Sequence, residues 1–140
     1  MTTVHATTLA INGHGVMLVG PSGAGKSDLA LRLIDRGATL VSDDYTEVAR
    51  NGDTLVATPP STIAGQMEIR GVGIVAVPFT PSTTVQIVVE LGDEVERMPD
   101  ARWRIVAGQQ VRAITINPRH ASATIKVEYA LRQVLLERVT

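Results

Sequence analysis

The sequence predicts an α/β fold, a mixed sheet with few helices built around a phosphate-binding loop. Three observations predict it. The apolar run Val16-Met17-Leu18-Val19 leads into Gly20-Pro21-Ser22-Gly23-Ala24-Gly25-Lys26-Ser27, and an amphipathic segment follows to Gly37. Strand, loop and helix thus stand in the order that the pattern G-x-x-x-x-G-K-[ST] requires, and every fixed position is met. Strand-like runs outnumber helical ones through the rest of the chain, where only residues 121–138 read as a second helix. Finally, 140 residues suit one domain with one sizeable core, so 1–140 is read as a single unit.

Residues 2–11 read as an opening strand containing His5, and Asn12-Gly13-His14-Gly15 as the turn of a hairpin into 16–19. In the first helix Leu29, Ala30, Leu33 and Ile34 share a face, with Arg32, Asp35 and Arg36 away from it. Gly37 serves as its C-terminal cap. Ala38–Ser42 is the next strand and ends in Asp43-Asp44. Val48–Arg50 and Thr54–Ala57 flank the turn Asn51-Gly52-Asp53, and Thr58-Pro59-Pro60-Ser61 breaks the pattern. Residues 63–73 read as irregular. Ile74–Val77 and Val85–Leu91 are strands separated by Pro78 and Pro81, and Gly92–Asp100 is a charged turn. Trp103–Val106 and Gln110–Ile116 form a hairpin around Gly108. After Pro118 the second helix places Ile125, Ala130, Val134 and Leu135 toward the sheet.

Composition excludes several classes. A net charge of −1 leaves no basic face for nucleic acid. The absence of cysteine rules out disulfides and thiolate metal sites. No basic stretch followed by an apolar segment opens the chain, and no apolar run approaches the roughly 18 residues of a membrane span. A cytoplasmic protein is expected. Phe79, Trp103, Tyr45 and Tyr129 are the only aromatics, so aliphatic side chains must form the core.

The phosphate loop sets the chemistry. Gly20 and Gly25 permit the close backbone approach, the intervening N–H groups and the helix start cradle an anion, Lys26 reaches the outer phosphates, and Ser27 ligates Mg²⁺. Lys26 is one of two lysines, the other being Lys126, against eleven arginines. Asp43 and Asp44 end a strand, where ligands gather in open α/β sheets. One carboxylate would hold Mg²⁺, directly or through water, and the other accept a proton from an attacking hydroxyl or water. Glu90, closing a later strand, competes for the metal role. His14 is expected to be exposed in its turn, and His5 could point at the site. Glu68 and Arg70 alternate on one face of a strand edge, where they would pair.

Together these residues resemble the catalytic domain of the HPr kinase/phosphorylase family. The resemblance is carried by Val4-His5, the loop, Arg36-Gly37, Leu40-Val41-Ser42-Asp43-Asp44 and Met67-Glu68-Ile69-Arg70-Gly71-Val72-Gly73-Ile74. It covers residues 4–77 well and 78–140 loosely. The chain is similar to a short form found in some proteobacteria, without an added N-terminal domain and with an altered C-terminal helical region.

The resemblance implies a P-loop kinase fold and an ATP-dependent serine kinase acting on the phosphocarrier protein HPr. It also implies pyrophosphate as an alternative donor, and a reverse phosphorylase reaction that releases pyrophosphate. Asp43 takes the place of the family's general base and acid, Asp44 that of the adjacent acid and His5 that of the loop histidine. Ser27, Asp44 and Glu68 fall where metal is held. Arg119, in Asn117-Pro118-Arg119-His120, falls where an arginine contacts phosphate in dephosphorylation. Assembly into a homo-oligomer, a hexamer in the family, is also implied. The rival readings are another phosphate-loop small-molecule kinase using Glu90, and a nucleotide-sensing module that binds without transferring.

Overall fold

The computed structural model describes residues 1–61 and 63–138. In chain order the strands are β1 (Thr2–His5), β2 (Thr7–Ile11) and β3 (His14–Val19), followed by helix α1 (Lys26–Asp35). Next come β4 (Thr39–Ser42), β5 (Tyr45–Asn51), β6 (Thr54–Thr58), β7 (Gln66–Ile69), β8 (Gly73–Ala76) and β9 (Thr83–Leu91). The chain continues through β10 (Arg102–Val106) and β11 (Gln109–Ile116) to helix α2 (Ala123–Glu137). The result is a mixed α/β fold with a curled sheet and two helices.

The sheet curls because β9 serves two neighbours along one side. Its first residues, Thr83 and Thr84, pair with β6, whereas Ile87–Leu91 pair in parallel with β11. Its other side pairs in parallel with β3, with a register shift that sets Gly15 opposite Val85 and Val16 opposite Ile87. That irregularity changes which face each side chain meets, as bulges do. Val85 and Val88 join one core, and Ile87 and Val89 the other. Gly15 is required at the shift, because a Cβ there would stand 2.4 Å from the Thr84 carbonyl oxygen.

One core lies between the sheet and the helices. Leu9, Val16, Leu18, Ile87 and Val89 meet Leu29 and Leu33 of α1 and Val127 and Leu131 of α2. The second fills the inside of the curl, where Met17, Val19, Val41 and Val88 meet Val48, Leu55 and Ala57. The strict alternation along β3, Val16 and Leu18 one way and Met17 and Val19 the other, is what a strand buried on both faces needs.

Several expectations are corrected. The opening strand is two strands broken at Ala6, because β1 pairs with β5 while β2 pairs with β3 and β4. The turn at 12–15 is tighter: Asn12 and Gly13 both adopt positive φ, a two-residue hairpin, and His14 and Gly15 already belong to β3. Residues 63–73 are only partly irregular, since β7 and β8 form a hairpin of their own with Met67 buried against α1. Glu68 and Arg70 do not pair among the described residues, because β7 ends at Ile69 and Arg70 begins the turn. On α2, Ile125 is 43% exposed; Ala123, Thr124, Val127, Leu131 and Val134 form the buried face.

The strand directions place the site. β2 is antiparallel to both β3 and β4, so β3 and β4 run the same way, and β9 and β11 run parallel to β3. Four strands therefore deliver their carboxyl ends to one edge, together with the end of β1 and the start of β2. No helix among the described residues is long and apolar enough to cross a membrane.

Candidate active site

The loop from Gly20 to Gly25 leaves the end of β3 and turns into α1. Ala24 N–H donates to the Pro21 carbonyl at 3.0 Å. Gly25, at φ +103°, is the N-cap, and no side chain caps the helix. The amides of the first turn are thus left facing the loop, where an anion satisfies both them and the helix dipole. Lys26 is only 6% exposed and folds back, its Nζ donating to the Gly20 and Pro21 carbonyls at 2.7 and 3.0 Å. Among the described residues this buried ammonium donates only to neutral carbonyls, and a phosphate would supply its counter-charge.

The end of β4 lies against the helix start. Asp43, 8% exposed, accepts at Oδ1 from Ser27 Oγ at 2.8 Å and from Thr7 Oγ1 at 3.1 Å. The sequence pointed to Asp43 and Ser27 but not to Thr7. A threonine in a strand carries no signal, yet this one is fully buried and its hydroxyl bridges both acids, accepting from the Asp44 N–H at 3.1 Å while donating to Asp43. Thr7 therefore fixes the carboxylate of one acid and the backbone of the other. Replacing it by the near-isosteric Val should lower the melting temperature, since a hydrogen bond to a charged group contributes on the order of 1.5–3 kcal/mol. Thr7→Ser should restore it. A serine variant as unstable as the valine one would show that only packing matters there.

Asp44 sits at φ +68° and turns its exposed carboxylate the other way, with Oδ1 2.9 Å from His5 Nε2. The His5 ring lies beside Tyr45, centroids 5.3 Å apart. A hydrogen bond so open to water contributes little stability and acts chiefly to orient. The β7–β8 hairpin stands over this edge. Ser22, Lys26, Ser27, Asp44, Glu68 and Arg70 are among the residues lining a cavity of about 640 Å³. Among the described residues no three His, Cys, Asp or Glu side chains converge to hold an ion on their own. The oxygen donors at hand, a hydroxyl and carboxylates, fit Mg²⁺, whose shell is ordinarily completed by phosphate and water.

Two sequence candidates lie elsewhere. Glu90 is bound by Arg102 and Arg104 at 2.5 and 2.8 Å. Burial opposes its charge, but the bonds from Arg104 and Arg102 outweigh that effect and hold the carboxyl below the usual carboxylate range. It lies within β9, as a residue closing that strand should. Arg119 lines a second cavity of about 740 Å³, together with Leu91, Asp93 and Pro118, and not the cavity of the acids. His14, half-buried in β3, lines neither cavity.

Comparison with known proteins bears on the family and the fold. The family model described as HPr Serine kinase C-terminal domain matches residues 1–137. An HPr kinase/phosphorylase of Chlorobium phaeobacteroides (strain BS1) is 37% identical over an alignment of 150 residues, which covers 96% of this chain and 44% of the relative. One of Limosilactobacillus reuteri (strain DSM 20016) is 41% identical over 97 residues, covering 64% of this chain and 30% of the relative. The chain thus spans less than half the length of these curated relatives. The solved structure of the Hpr(Ser) kinase/phosphatase from Coxiella burnetii superposes with a TM-score of 0.86 at 29% identity, over the whole of both chains.

Proposed function

Since the chain belongs to the HPr serine kinase C-terminal domain family, we propose that it is an ATP-dependent serine kinase acting on HPr, with a reverse phosphorylase activity. Residues 1–140 act as one P-loop catalytic unit in this reading. The observation that carries it is the Ser27–Asp43 hydrogen bond, which sets a carboxylate at the mouth of a phosphate loop.

The loop amides and Lys26 bind the phosphates of ATP, or of pyrophosphate as an alternative donor. Lys26 exchanges its carbonyl partners for phosphate oxygens and stabilises charge as it develops. Ser27, Asp44 and Glu68 would hold Mg²⁺, which when bound neutralises phosphate charge. Asp43 takes the proton from the serine hydroxyl as its oxygen bonds to the γ-phosphorus and the bond to the leaving ADP breaks. In reverse, Asp43 takes a proton from inorganic phosphate, which attacks the phosphoserine phosphorus; serine leaves with a proton and pyrophosphate forms. His5 orients Asp44. An enzyme using ATP on a phosphocarrier works in the cytoplasm, and a homo-oligomer is the form proposed for it.

The rival small-molecule kinase reading needs a free Glu90, and the two arginines on Glu90 count against it. Incubation of the protein with γ-labelled ATP, Mg²⁺ and purified HPr should yield phosphoserine on HPr, and inorganic phosphate should then release pyrophosphate. ATP binding without any label on HPr would overturn the kinase assignment and favour a nucleotide-sensing module.

A further inference from the structure

The loop and the first turn of α1 form a wall between two cavities, since Gly23, Gly25 and Asp28 line both. The first contains Asp44 and Glu68. The second, about 740 Å³, lies between the loop and the segments after β9 and β11, and phosphotransfer makes no use of it. Its size falls within the range of pockets that take small molecules. We propose that it is the nucleoside subsite, receiving the base and ribose of ATP, with the Arg119 guanidinium laid against the base. This inference rests on the kinase reading and deepens it.

A triphosphate gripped by the loop has two ends. The transferring end belongs beside Asp43, and the first cavity must also admit the acceptor hydroxyl. The nucleoside therefore leaves through the other opening. That opening is a fixed one. Arg32 Nη2 donates to the Pro118 carbonyl at 2.6 Å and ties the turn after β11 to α1. Asn117 Oδ1 accepts from the Arg119 N–H at 3.0 Å. Gly25, at φ +103°, stands beside the Pro118 ring and closes this side of the cavity. Leu91 and Pro118 offer apolar surface, and exposed Asp93 offers an acceptor for ribose hydroxyls.

The Arg119 guanidinium makes no hydrogen bond or ion pair among the described residues. A planar cation on an anchored backbone, beside a cavity with no aromatic in its lining, is suited to stack on a purine. The family resemblance would instead set Arg119 on phosphate. The two roles part on a ligand that has phosphates and no nucleoside.

The test is calorimetry with Mg²⁺ and either ATP or tripolyphosphate, on the parent protein, Arg119→Ala and Arg119→Lys. Arg119→Ala should weaken ATP binding about tenfold and change tripolyphosphate binding less than twofold. Arg119→Lys keeps the charge but not the plane, so it should lose as much ATP affinity as the alanine variant. Equal weakening of both ligands, restoration of ATP binding by lysine, or an unchanged ATP affinity would each overturn the subsite while leaving the kinase reading in place. Failure of the parent protein to bind either ligand would overturn both.

Discussion

Asp43→Asn is expected to bind ATP and Mg²⁺ much as the parent does and to phosphorylate HPr about a thousandfold more slowly. Asparagine keeps the volume of the side chain and an oxygen that can accept from Ser27 Oγ and Thr7 Oγ1, the two bonds that place Asp43 now. What it loses is the capacity to take a proton. General-base catalysis contributes typically about 10²–10⁴-fold in rate. The loss should therefore fall on kcat, read as initial rates of phosphoserine formation, with the ATP Kd followed separately by calorimetry. Transfer at the parental rate would remove Asp43 from the mechanism and return attention to Asp44.

Lys26→Ala is expected to lower ATP affinity about a hundredfold and to abolish measurable transfer. The ammonium now spends its hydrogen bonds on the Gly20 and Pro21 carbonyls. Both belong to a part-exposed loop, so water can replace the ammonium there and the fold should survive. The phosphates have no such substitute, because a hydrogen bond to a charged group is worth on the order of 1.5–3 kcal/mol. Calorimetry reads the affinity, and a thermal melt verifies that the variant is folded. Parental ATP affinity in a folded variant would contradict the role given to the loop.

Much of this site could be read from local pattern. The run from Val16 to Gly37 contains its own strand, loop, helix and cap, and each of these forms from neighbours in sequence. The apolar strand ending in two acids was equally legible, because its direction follows once β4 lies in the same sheet as β3. What could not be read depends on partners far along the chain. Thr7 acquires its role only when β4, some 36 residues later, brings Asp43 to it. The β7–β8 hairpin has one fully buried anchor, Met67, with Ile69 and Val75 half-buried, and strands of four residues are too short for their alternation to stand out. On α2 the apolar residues encircle the helix, with Ile125, Tyr129 and Leu136 exposed; periodicity placed Ala130, Val134 and Leu135 inward correctly and Ile125 wrongly. The Arg102–Glu90–Arg104 group likewise exists only because β10 folds back beside β11.

The backbone at Asp44, at φ +68°, reaches past its own hydrogen bonds into what substitutions the position will accept. Few residues tolerate that conformation; glycine, asparagine and aspartate are the usual occupants. Of these only aspartate carries a negative charge. Glutamate, the obvious chemical stand-in, would meet a main-chain cost of about 1 kcal/mol there besides its different reach. Two unrelated preferences, one conformational and one electrostatic, thus overlap at a single amino acid.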